Sequence, residues 1–421
     1  MNEDFIAWIW KHKNFDKIDL KTIDGEALSI IQPGIQNHDS GPDFSNARIK
    51  IGETLWAGNV EIHVKTSDWF LHQHEKDPMF KNVILHVVYE HDRALENNIP
   101  VFCIKDYFKV SLFKDYKNLI SDHHPIACHN SIKDVEDIIL NSWLERVEIE
   151  RLNEKSIVIE KLLVENKNDW AETFYQILLS NFGFKVNALP FEMLSRSLPF
   201  KIILKYRHDL KLLEALFFGQ AGFLNKIDEQ DDYQVLLKKE FDFLKHKHQL
   251  QPIDNYLWKF LRIRPNGFPT IRLAQVAMLF YKEANLFSKA INTINIKTLQ
   301  DLFKVETSNY WKEHYRFGDE KHVKKSKNLG KNSINLIILN TLVPIIFVYG
   351  KKNDEEKRIE NAIDLLHNLP PEKNKIVTIW SDLNLKITSA FDSQAFLQLK
   401  RNYCDKRKCL ECKIGNNLLN L

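Results

Sequence analysis

The chain has 421 residues, with 59 Lys+Arg against 56 Asp+Glu and 44% hydrophobic residues. At roughly 150 residues per domain, this length implies two or three domains, each able to bury its own core. The near balance of charge excludes a histone-like polycation, so any nucleic acid must be held in a local basic groove rather than by a global field.

Phe5, Ile6, Trp8, Ile9 and Trp10 predict a short opening helix, and short β runs follow: ALSIIQ, FSNARIKIG, LWAGNVEIHVK, NVILHVVYEHD and IPVFCIKD. A helix from Trp69 to Phe80, with Asp68 as its N-cap, interrupts them. SDHHPIACHN (121–130) has no hydrophobic period and reads as a connector. From Ser131 onward, stretches such as VEDIILNSWLERVEIERLNEK and YQVLLKKEFDFLKHKHQL repeat apolar residues at three and four. Breakers fall at FGF (182–184), RPNGFP (264–269), NLGKN (328–332) and LPPEKN (369–374), and no fixed-period repeat is evident. The basic run Lys324, Lys325, Lys327 and Lys331 reads as a solvated loop. The expectation is an α+β protein: a small mixed α/β domain over 1–115, a connector over 116–130, and a larger all-helical domain over 131–421 ending in a cysteine cluster.

No uninterrupted apolar stretch reaches the roughly 18–20 residues that a bilayer span needs. The start MNEDFIAWIWKHKNF, with acids first, is wrong for a secretory signal. A cytoplasmic protein with no membrane association is expected; oligomeric state is left open. NLGKNS (328–333) lacks the first glycine of a phosphate-binding loop, which argues against an ATP-driven motor.

The stretch HDSGPDFSNARIKIGETLWAGNVEIHVKTSDW carries the most chemistry. Strand alternation puts Val60, Ile62 and Val64 on one face and Glu61, His63 and Lys65 on the other. A hairpin around GET (52–54) would bring Asp43 beside Glu61. Two carboxylates there suit Mg²⁺ or Mn²⁺ with open water positions. The ion would lower the pKa of a bound water, and Lys65 or His63 would orient or deprotonate the nucleophile. The bland alternative is a turn-capping Asp43 with cross-strand ion pairs from Glu61 and Lys65.

Pro42-Asp43, a hairpin, Glu61-Ile62-His63, a helix and the apolar strand NVILHVVYE together resemble the restriction-endonuclease-like PD-(D/E)XK nuclease core. The resemblance covers about a quarter of the chain. It implies Asp43 and Glu61 as metal ligands, with Glu3 or Asp4 of the opening helix as a further acid. His63 departs from the family pattern, standing where lysine is usual; Lys65 could supply the amine from two residues on. NEDFIAWIWKHKNFD, GNVEIHVKTSDW and YCDKRKCLECKIG also resemble, over the whole chain, an uncharacterised bacterial family of about this length, which implies no activity.

A zinc site competes for the same face, because His63 and His86 fall on strands that can be neighbours. In a continuous helix His72 and His74 point about 200° apart, which excludes them from one ion and leaves His74 with Asp77 as the sensible pair.

Cys404, Cys409 and Cys412 have the spacing C-x₄-C-x₂-C. Thiolates at such spacing hold Zn²⁺ or an iron–sulfur cluster rather than Mg²⁺. Cys128, His129 or Cys103 could be the fourth ligand, and Cys128 would tie the C-terminus to the domain junction. The cluster is similar in kind to the terminal cysteine clusters of some nucleases and DNA glycosylases, although the spacing differs. In WKFLRIRPNGFPTIR, Trp258, Arg262, Arg264, Phe268 and Arg272 could grip phosphates and stack bases. The leading expectation is a metal-dependent phosphodiesterase acting on nucleic acid. The alternatives are a catalytically degenerate nucleic-acid-binding or scaffold protein, and a zinc-dependent hydrolase.

Overall fold

The computed structural model describes residues 1–37, 39–95 and 98–420. The chain divides into two compact units, Met1–Trp143 with Leu399–Leu421, and Leu144–Gln398. The fold is α+β, as expected, but the division is not at 115–131. It falls inside a long helix, and the cysteine-bearing C-terminal segment belongs with the first unit rather than the helical one.

The first unit opens with α1 (Glu3–His12), capped by Asn2, whose Oδ1 accepts the Phe5 N–H at 3.3 Å. The helix buries Phe5, Ile6, Trp8, Ile9 and Trp10. Then come β1 (Leu28–Gln32), β2 (Ile35–Gln36), β3 (Phe44–Ile51), β4 (Thr54–Lys65), α2 (Asp68–Leu71), β5 (Val83–Glu90), β6 (Val101–Cys103), α3 (Val110–Ser121) and α4 (Asp137–Glu165). The sheet order is β1-β3-β4-β5-β6, with β2 also paired to β3. β1, β3 and β4 run antiparallel, whereas β4, β5 and β6 run parallel. The expected hairpin forms: Ile51 pairs with Thr54, and Gly52 takes the positive φ that the tight turn needs. One face of the sheet carries Phe44, Ile49, Val60, Ile62, Leu85 and Val87 into a core shared with α1.

The single helix expected over 69–80 is not formed. The chain makes one helical turn, α2, then two 3₁₀ turns at His74–Lys76 and Pro78–Asn82. Pro78 has no N–H to donate and clashes with a preceding helical turn, and Gln73 adopts φ 59°, so a continuous helix is broken twice. Asp68 is not the cap; its Oδ2 accepts the Lys65 N–H at 2.9 Å.

Among the described residues the second unit contains helices only, packed around a core that includes Tyr175, Phe217, Trp311 and Leu342. Its helix Lys331–Lys352 is long and apolar enough to cross a bilayer, yet 78% of its most apolar window is buried inside the protein, as in a core helix. The basic run is not uniformly solvated: Lys327 is 2% exposed and donates to the His314 carbonyl at 2.6 Å.

Candidate metal centre

Strand register assembles the site. Phe44 pairs with Val60, which sets Asp43, just before β3, beside Glu61. The two residues then lock reciprocally: Asp43 N–H donates to Glu61 Oε2 at 3.1 Å, and Ile62 N–H donates to Asp43 Oδ2 at 2.9 Å. On the other side, parallel pairing places His86 of β5 opposite Glu61. Gly58 permits that approach, since a Cβ there would meet Ile84 Cγ2 at 2.4 Å and the Asn82 carbonyl at 2.7 Å.

His63 is the hub. Its Nδ1 lies 2.8 Å from His86 Nε2 and its Nε2 lies 3.1 Å from His72 Nδ1. Glu61 Oε1 is 3.2 Å from His74 Nε2 and 3.6 Å from His63 Nε2. His63, His72 and His74 bring one ligand atom each within 4.8 Å of one another. The exclusion of His72 with His74 on helical geometry is overturned, because α2 stops at Leu71 and the left-handed Gln73 turns the chain so that both rings face His63. Pro78 signals in the sequence that the helix over 69–80 cannot run to its expected end, but the left-handed turn at Gln73 that joins His72 to His74 left no such signal. Aromatic side chains hold the rings from behind: His74 stacks on Phe80 with centroids 3.8 Å apart, and Trp69 lies 5.3 Å from both His74 and His86.

Burial and like charge set the electrostatics. Glu61 is pushed up to about 9, first by burial and then by the Asp43 carboxylate. Asp43 is raised by burial. Burial and the surrounding imidazoles depress His63 to about 2 and His86 to about 3, and His74 moves down for the same reasons. Without a cation this leaves a protonated Glu61 among neutral imidazoles, and the neutral ring is the form that ligates metal. His86 Nδ1 is buried without a hydrogen-bond partner. Glu3 of α1 is raised mainly by burial, with smaller effects from the charges of His72, Asp43 and Asp68. A donor set of three imidazole nitrogens beside a carboxylate fits a divalent transition ion better than Mg²⁺, which prefers oxygen ligands.

A family model described as "Protein of unknown function (DUF2851)" matches residues 3–375. The chain belongs to the DUF2851 family. No curated protein and no solved structure matches it. The DUF2851 match includes every residue of the histidine and carboxylate cluster and Cys128, and it ends before Cys404, Cys409 and Cys412. The family resemblance read across the whole chain therefore holds for residues 3–375.

The other expected residues of this DUF2851 chain are dispersed. Lys65 is exposed at the end of β4, where its charge acts on Asp92. Arg262 and Arg264 are exposed. Arg272 is turned inward: its guanidinium bonds Gln275 Oε1 at 3.0 Å and Ser333 Oγ at 3.2 Å and lies 4.6 Å from the Phe184 ring centroid. Burial lowers its pKa to about 10. Trp258 is likewise a core anchor, its indole N–H donating to the Ala221 carbonyl at 2.8 Å. The phosphate grip expected of the three arginines loses Arg272 to internal packing. Cys128, Cys404, Cys409 and Cys412 do line one cavity. Cys103 instead bonds the Tyr89 carbonyl at 3.3 Å, and His129 stacks on His124.

Proposed function

We propose that the protein is a metal-dependent phosphodiesterase acting on nucleic acid, with Mn²⁺ or Zn²⁺ favoured over Mg²⁺ by its donors. The observation that carries this reading is the convergence of His63, His72 and His74 on Glu61, which is itself locked to Asp43. Support for the substrate class comes from the element order: an acid-bearing helix, a hairpin with Asp43 and Glu61 side by side, a crossover and a parallel strand, as the nuclease-like resemblance requires. A bound ion would lower the pKa of a water and offset phosphodiester charge. His63, His72 and His74 would supply the nitrogen ligands, which removes His63 from the role of general base. Glu61, held in place by Asp43, would take a proton from water. His86 fixes the ring of His63 from behind. Lys65 has no place in this step.

The test is cleavage of single- and double-stranded DNA and RNA by purified protein with Mn²⁺, Zn²⁺ or Mg²⁺. Glu61→Gln should reduce cleavage roughly 10²–10⁴-fold, the range of a positioned acid–base group. Undiminished cleavage by that variant, or none by the parent with any ion, overturns the proposal. Stoichiometric metal bound without nuclease activity would direct attention to a zinc-dependent hydrolase with another substrate, which the three imidazoles also favour, or to a catalytically silent scaffold.

A further inference from the structure

The four cysteines form a second site, in the first unit and apart from the histidines. Cys128, from the connector before α4, lines a cavity with Cys404, Cys409 and Cys412. Leu119, Ala127, Tyr403 and Gly415 are among its walls. None of the four is in a disulfide.

Local structure aims the sulfurs. The helix ending at Leu399 passes into a π turn, Lys400–Cys404, which extends the chain to Cys404. The loop that follows is pinned to the connector by Arg407, whose guanidinium donates to the carbonyls of Asp122 and His124. Asn416 Nδ2 donates to the Leu410 carbonyl at 2.7 Å and the Cys412 carbonyl at 3.1 Å, and its Oδ1 accepts the Trp8 indole N–H. Gly415 lies so close to Cys409 that a Cβ would meet the Cys409 carbonyl at 2.2 Å.

Two kinds of centre take four cysteine thiolates, and the four that line this cavity suit either. One is a single tetrahedral zinc with bonds of about 2.3 Å. The other, an inorganic core of several iron and sulfide ions, spaces its cysteines more widely, because each sulfur binds a different iron at a corner of the core.

We propose that Cys128, Cys404, Cys409 and Cys412 together ligate one thiolate-held metal centre, a zinc ion or an iron–sulfur cluster, that fastens the C-terminal segment to the connector.

The proposal does not depend on the phosphodiesterase reading. The full-length chain is purified anaerobically, and iron, acid-labile sulfide and zinc are measured per chain together with the visible and Mössbauer spectra, before and after reconstitution with zinc or with ferrous iron and sulfide. Either about one zinc, or about four irons with four sulfides, is expected at this site per chain. Cys128→Ser and Cys412→Ser should each lose that metal, while Cys103→Ser keeps it. A chain that stays metal-free after reconstitution with zinc or with ferrous iron and sulfide, all four thiols reactive, overturns the assignment. So does metal content undiminished in both Cys128→Ser and Cys412→Ser.

Discussion

Glu214 lies in the helix Leu210–Gln220 with no exposed surface, and Tyr233 donates its hydroxyl hydrogen to Oε2. Burial outweighs that bond and pushes the carboxyl from 4.5 up to about 7. Between those values the folded chain keeps a proton that the unfolded chain has released, so stability falls as pH rises through this window, by up to about 3 kcal/mol. Glu214→Gln preserves an acceptor for Tyr233 and removes the titration. The urea midpoint of the parent should drop between pH 5 and pH 7.5 by more than that of the variant. Parallel pH profiles for the two chains would refute the assignment. The same conflict between burial and charge governs Glu61 and His63, but there the ring nitrogens and carboxylates share one small space, and a cation would resolve the conflict. At this scale strand alternation put Glu61 and His63 on one face and the hairpin brought Asp43 beside Glu61, whereas Lys65, chosen by the same alternation, stands exposed. The sequence missed His72 and His74, because their positions depend on where a helix breaks, and Arg272, because its partner Ser333 is remote in the chain.

Among the elements, the β4–β5 pair controls the site. It sets His86 opposite Glu61 and requires the strands to approach closely at Gly58. Gly58→Ala puts a methyl against Ile84 and the Asn82 carbonyl, and backbone yields less readily than a flexible side chain. The expected cost is about 2 kcal/mol, in the range of overpacked cores, read as a lower midpoint in urea unfolding. Metal affinity at the histidines should fall with it, because His63 loses the fixed position of His86. A Gly58→Ala chain as stable as the parent would mean that β5 can shift without penalty. The crossover between these strands shows where periodicity misleads. Apolar spacing over 69–80 matches a helix, yet Pro78 and the left-handed Gln73 fold the segment into short turns that aim His72 and His74 inward.

For the whole molecule, the chain's order in sequence differs from its order in space. The first unit is completed by Leu399–Leu421, with Leu419 buried in the same core as Phe5 and Trp8. Deleting 399–421 therefore removes core side chains, the Asn416 contact to Trp8 and three of the four cysteines. The truncated chain should lose the lower-temperature or higher-temperature unfolding transition assigned to the first unit, while the Leu144–Gln398 helices keep their circular dichroism signal; a first-unit transition left in place would contradict this. The sequence by itself determined what local chemistry can encode: the α+β class, the Gly52 hairpin, the alternating face of β4 and the helical periods beyond Ser131. Only the tertiary structure decided which distant groups meet. Cys128 rather than Cys103 or His129 joins the terminal cysteines, and the C-terminal segment belongs to the first unit. The physical reason is that periodicity and turn chemistry act over a few residues, whereas the burial that brings Cys128 to Cys412 or His63 to His74 is fixed by close packing between segments whose separation in sequence carries no trace of it.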